Sequence, residues 1–149
     1  MANFIYRKIR EAAWSGSVDL AGDTFKAALL MSNTTAEADV GAEFVDDVAT
    51  LDELDATGYS RVTLSGLSLA EDVAADLFRW LASAIDFGSP SPDASRQVVA
   101  VLIYKHFTDD TDSPVVAYFD LVSSSPIFPF TVNGGQILVT PAAEGIFTV

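Results

Sequence analysis

His106 is the one histidine of the chain, and there is no cysteine. A serine or cysteine nucleophile would have to draw its base from that single imidazole. His106 stands at the end of an apolar run beside a polar loop, the ordinary setting of a solvated histidine at a hairpin edge. The missing thiols also remove disulfides, thiolate zinc sites and iron–sulfur ligation, and carboxylates alone make a poor zinc site. Acids are plentiful, so paired-carboxylate hydrolysis is the next chemistry to weigh. Asp72, Asp86 and Asp120 lie near apolar runs, yet nothing in their spacing pairs them. Asp109-Asp110-Thr111-Asp112 offers the hard oxygen ligands that calcium takes, but without the glycine and distal glutamate of an EF-hand loop. An Asp-rich hairpin tip reads more simply as a soluble turn. Gly134-Gly135 follows Asn133 and has no phosphate-cradling pattern around it. No catalytic, cofactor-binding or metal site is expected, and no cofactor.

Charge narrows the partners. Eight basic residues against 21 acidic ones give a net charge of −13, and the pI is about 4.1. Such a surface repels nucleic acid and anionic membranes. Yet 50% of the 149 residues are hydrophobic and the mean hydropathy is +0.31. No run approaches the roughly 18 apolar residues of a membrane span; the longest, Val98–Tyr104, has the length of a strand. Arg10 and Glu11 interrupt the start before any long apolar region, unlike a secretory signal. The apolar excess must therefore enter a rich core, a subunit interface that resembles a core cut in half, or both. The balance favours an assembly. Arg7, Lys8 and Arg10 bring together three of the eight bases, a set too small for a duplex but able to meet an acidic protein neighbour.

The elements that would hold these groups read mainly as β. Ile5–Ser15 has Ile5, Ile9, Ala12 and Ala13 at helical spacing, with charges on the other face, and Gly16 can end the helix in the left-handed region. Ala21-Gly22-Asp23 reads as a turn before a strand at Thr24–Met31. Residues 32–58 carry eight acids and no base; Phe44, Val45, Val48, Leu51 and Leu54 within them suggest one or two helical turns, solvated on the acidic side. Tyr59–Leu64 alternates as a strand. Leu67–Phe87 fits an amphipathic helix or one or two strands equally well. Two β-branched and aromatic runs, Arg96–Phe107 and Pro114–Val122, flank the polar loop Thr108–Ser113 and form a hairpin whose first strand is apolar on both faces, hence central. Phe128–Val132 and Gln136–Thr140 flank Asn133-Gly134-Gly135, a strong hairpin signal that asks for positive φ at both turn positions. Ser123–Pro126 turns the chain between these hairpins. A loop at Pro141–Gly145 and a strand at Ile146–Val149 close the chain. The expectation is a single domain over 1–149: an arm and helix at 1–16, an acidic excursion at 32–58 and a β-rich core at 59–149. Seven or eight short strands would close it as a sandwich or barrel.

Three stretches carry a resemblance. They are Asn3-Phe4-Ile5-Tyr6 with Lys8, Glu11, Gly16, Val18-Asp19 and Asp23–Leu29; Leu102-Ile103-Tyr104-Lys105 with Pro114–Asp120; and Val132–Ile137 with Gly145-Ile146-Phe147. In that order they resemble a family of small tailed-phage virion proteins. The resemblance implies a structural, non-enzymatic component, a capsid decoration or cement protein. Such a protein binds the major capsid protein on the outside of the lattice, as a homo-oligomer with a trimer favoured, and bridges capsomers against the pressure of packaged DNA. It would be made in the host cytoplasm and reside on the virion, touching neither nucleic acid nor membrane. Phe4, Ile5, Tyr6, Arg7, Lys8 and Arg10 are the residues expected to contact the capsid or another partner. The alternative is a tail or head-fibre component acting as an attachment module, with Trp14, Trp80, Tyr104 and Tyr118 as stacking platforms for a receptor. A small hydrolase using Asp pairs is the third reading.

Overall fold

β2 (Phe25–Met31) and β7 (Asp93–Lys105) pair antiparallel at the centre of a six-stranded sheet. This is a computed structural model, and it describes residues 3–120, 122–123, 126–142 and 145–148. Val98 and Ala100–Tyr104 are buried on successive positions, so both faces of β7 are covered, as its unbroken apolar run requires. Strand order is β1-β8-β7-β2-β3, where β1 is Phe4–Ile5, β3 is Val62–Thr63 and β8 is Val115–Phe119. The first half of β7 pairs instead with β9 (Phe130–Val132). A three-stranded sheet, β11-β5-β4, is built from β4 (Ser68–Asp72), β5 (Leu77–Leu81) and β11 (Phe147–Thr148). A third pair joins β6 (Ile85–Asp86) to β10 (Leu138–Val139). The protein is mainly β, sandwich-like, with one α-helix, α1 (Arg7–Trp14), among the described residues.

The two larger sheets meet through aromatic side chains. Phe25 of β2 packs edge-on against Trp80 of β5, ring centroids 5.0 Å apart, and Phe147 of β11 lies 5.4 Å from the same indole. Trp80 is wholly buried, and its Nε1 donates to the Leu20 carbonyl at 2.7 Å, so the polar end of the ring is satisfied. Three rows along the large sheet from Phe25, Ala28, Leu102 and Tyr118 lie side by side, and Phe4 stacks on Tyr118 at 5.3 Å. The acidic segment closes on the sheet there. Tyr6 Oη donates to Ala36 O, and Phe44 bridges Pro114.

Several expectations are corrected by particular competitors. The helix starts at Arg7, because Phe4 and Ile5 pair with Tyr118 and Ala117 as β1; Gly16 does end it, at φ +76°. The excursion at 32–58 makes one helical turn, as expected, but it is the 3-10 turn at Val45–Asp47 and not α-helix. Its aspartates bond the backbone locally and displace helical bonding: Asp47 Oδ2 accepts from the N–H groups of Glu43 and Phe44, and Asp39 Oδ2 from that of Ala49. Nor are its acids all solvated, since the Asp52 side chain is only 6% exposed and pairs with Arg96. Tyr59–Leu64 narrows to the two residues of β3. Leu67–Phe87 resolves as strands, with β4 and β5 in register from Ser68↔Leu81 to Asp72↔Leu77.

The Asn-Gly segment forms no hairpin of its own. β9 is taken by β7 and β10 by β6, and only Gly134, not Asn133, has positive φ. Asn133 Oδ1 accepts from Gly135 N–H, an Asx turn that meets the local need differently. The loop Thr108–Ser113 does join two paired strands. Among the described residues eleven strands appear rather than seven or eight, because five of them are only two residues long. The turn expected at Ser123–Pro126, the loop at Pro141–Gly145 and the last strand fall partly outside the described residues.

Candidate functional site

Helix α1 lies beside the small sheet, and the wedge between them is not filled. Ile9 and Ala13 line one side, four residues apart on a single helix face. Ile5 and Val116 come from the large sheet, Leu20 from the connection after the helix, and Phe78 and Phe147 from β5 and β11. Arg10 and Trp14, again four apart, stand at the rim. The groove holds about 490 Å³, within the range that takes a small ligand or a few inserted side chains. Trp14 is 92% exposed and Phe78 is 54% exposed. Both are large apolar groups that a closed core would have covered.

The far end of the β4–β5 hairpin continues this apolar surface. Phe78 lies on the same sheet face as Trp80, two residues along β5, but past the part of the sheet that Phe25 covers. Leu69 and Val73 are also exposed, Val73 at 80%. Asp76 turns the chain with φ +55°, and Asp72 holds the turn by accepting from Ala74 and Ala75 N–H. Asp72 is further tied to Arg79.

The residues expected to touch a partner are divided by the fold. Phe4 and Ile5 are half-buried in β1, and Tyr6 is wholly inside the core. Arg7, Lys8 and Arg10 are exposed. Lys8 is 4.0 Å from Glu43, and Arg10 makes one long contact, 3.5 Å, to Ile5 O. Of the four aromatic platforms, Trp80, Tyr104 and Tyr118 are core residues. Only Trp14 is presented to solvent.

The polar residues weighed for chemistry are separated from one another or engaged. Asp72 pairs with Arg79, while Asp86 accepts from Gly88 N–H and Gln136 Nε2. Asp120 is buried near Tyr118 and Glu37 in a small cleft closed by Phe128 and Pro129. Burial, then the nearby Glu37 and Asp120 carboxylates, push the Tyr118 phenol up to about 12. His106 packs edge-on to Tyr104 at 6.3 Å. In the Asp-rich loop, Asp109 Oδ1 accepts from Thr111, Asp112 Oδ1 accepts from Thr108 and Asp109 N–H, and Asp110 binds Arg61. Those backbone bonds, Asp109 N–H first, hold the Asp112 carboxyl below its ordinary range. Among the described residues no three His, Cys, Asp or Glu side chains converge as a metal would need.

Sequence reasoning found the exposed bases but missed the groove. Phe78 and Phe147 are far apart in the chain, and only the pairing of β11 with β5 brings them together. An unassigned helix-or-strand segment gave no face on which to place them.

An antiparallel, mainly β domain with an open apolar groove at a basic helix is the class these features define. Comparison with protein families, with curated proteins and with solved structures returns no match.

Proposed function

We propose that the protein is a structural, non-enzymatic subunit of a tailed-phage virion. It binds the outer surface of the capsid lattice as a homo-oligomer and stabilises the shell by bridging capsomers. One observation carries the reading: on a chain of net charge −13, Trp14 and Phe78 stand exposed at an apolar groove bordered by a basic helix, and Val73 is exposed at the tip of the β4–β5 hairpin. A contiguous apolar surface rimmed by charge is built for contact with protein. The resemblance of Asn3–Tyr6, Leu102–Lys105 and Val132–Ile137 to phage virion proteins supplies the setting. The major capsid protein is the partner, met by Arg7 and Lys8 on the outer side of α1. The exposed acids elsewhere on the surface are left to solvent.

Immunogold labelling of particles from the host that makes the protein tests this. Label on heads supports it, label on tails or fibres moves the protein to an attachment role, and particles without label end it. Removing residues 1–10 is a poor probe of docking, because it also takes Tyr6 out of the core. The double substitution Arg7→Glu/Lys8→Glu leaves Tyr6 and Ile9 in place. It is expected to weaken co-sedimentation with capsids about tenfold, a change of about 1.4 kcal/mol.

A further inference from the structure

The groove has a complement on the same molecule. Between Arg7 and Trp14 the helix carries Arg7, Lys8 and Arg10 against Glu11 alone. Between Ser68 and Leu81 the hairpin carries Glu71, Asp72 and Asp76 against Arg79 alone. Asp72 is already paired with Arg79, so Glu71 and Asp76 are the exposed charges of the hairpin. One patch is a concave apolar surface with the base Arg10 at its rim; the other is an exposed apolar tip, Val73-Ala74-Ala75, with the acids Glu71 and Asp76 beside it. None of the tip residues lines the groove of its own chain.

We infer that the β4–β5 hairpin tip of one copy docks in the groove between α1 and the small sheet of a second copy. Val73 enters between Ile9, Ala13 and Phe147, Trp14 closes over the tip, and Arg10 faces Glu71 or Asp76. Three features argue for this occupant. The tip residues, Val73, Ala74 and Ala75, are small and exposed, a size in keeping with a groove of about 490 Å³. The charges are opposite in sign, Arg10 at the groove against Glu71 and Asp76 on the hairpin, so on a molecule that is otherwise acidic this is an orientation in which two such chains attract rather than repel. Both patches leave apolar side chains in water that the contact would cover. Because the contact joins two different patches, it forms a reciprocal pair or, where its rotation closes, a ring; a discrete species in solution is what distinguishes these from an open chain of copies.

This inference deepens the assembly reading and rests on its premise that copies associate. The test uses the purified full chain with no capsid present. Wild type is expected to sediment as a discrete oligomer. Val73→Asp removes the tip and Arg10→Glu reverses the rim; each is expected to weaken association about tenfold or more. An equimolar mixture of the two variants retains one intact tip and one intact groove. It should recover a dimer that neither variant forms alone, with Trp14 emission shifting to the blue. Monomeric wild type, variants that assemble normally, or a mixture that stays monomeric each overturn the contact. All the altered side chains are exposed, and the near-ultraviolet signal of buried Trp80 checks the fold. If Arg10→Glu lost that signal, Trp14→Ser would take its place. Monomers that nonetheless label capsids would leave the lattice reading standing, whereas oligomers never found on particles would leave this contact standing alone.

Discussion

Arg61 joins two acidic segments that the sequence separates widely. Its Nε and Nη2 reach Glu53 at 2.9 and 2.6 Å, and its Nη1 and Nη2 reach Asp110 at 2.5 and 2.9 Å. The guanidinium also lies over the Tyr104 ring, 5.2 Å from its centroid. With Asp110 foremost, these partners hold its pKa above even the usual arginine value. Glu53 accepts in turn from Tyr59 Oη, so removing Arg61 strands a carboxylate in a partly closed site. Arg61→Ala is expected to cost about 2 kcal/mol, read as a lowered urea midpoint at constant m. Alkali should act on the phenols. Burial above all holds Tyr6, Tyr59 and Tyr118 protonated beyond their ordinary range. In the unfolded chain they ionise near pH 10. Above that value the native state keeps protons that the unfolded state has lost, so stability is complete below about pH 10 and falls as pH rises. A urea series from pH 9 to 12 checks the sign, and Tyr118→Phe should flatten the lower part of the fall. Asp23, opposed by burial but held down by Lys105 at 2.7 Å, works at the other end. Its contribution is present above the ordinary Asp range near 4 and fades as the solution becomes more acid.

The elements hold together through backbone positions that tolerate substitution very unequally. Gly145 sits at φ +87°, and a β-carbon there would collide with the Trp80 carbonyl, which accepts from Ile146 N–H. Gly16 has φ +76° but open space around it. Gly145→Ala should therefore cost more than 2 kcal/mol and Gly16→Ala only about 1, a difference that thermal melts of the two proteins would resolve. The same contrast between local and distant causes decides what could be read in advance. The β7–β8 hairpin was legible because its strands carry their own signal: unbroken β-branched runs around a polar loop. The helix was legible from Ile9 and its charged face. Residues 130–139 misled, because Asn133-Gly134 is a local signal while the partners of β9 and β10, Val98 and Ile85, are chosen by the packed whole. At 68–81, Leu77, Trp80 and Leu81 keep helical spacing, but Phe147 and Phe25 claim Trp80 from outside the segment. The bases of the candidate site could be seen in the sequence. Its concavity could not, since five separate elements and the connection after the helix make it.

The whole molecule is assembled from distant pairings. β2 meets β7 and β1 meets β8, so loops of tens of residues must close before the central sheet gains its bonds. Refolding should fall in the millisecond-to-second range typical of such topologies. Stopped-flow fluorescence would follow it through Trp80, which passes from water to a closed core, while Trp14 stays in water in the folded chain. Acrylamide should accordingly quench Trp14 and spare Trp80 in the folded monomer, and lose its hold on Trp14 at assembling concentrations. The large sheet also finishes, at both ends of its strand order, in strands of two residues: Phe4–Ile5 and Val62–Thr63. The remaining longer border, β4, carries Glu71 and Asp72. A chain so rich in β-branched runs has every ingredient of a fibril, yet colliding copies find too little open ladder to extend one another's sheets. Short and charged sheet borders of this kind work against edge-to-edge fusion, so any contact between copies would have to be made by side chains rather than by open backbone.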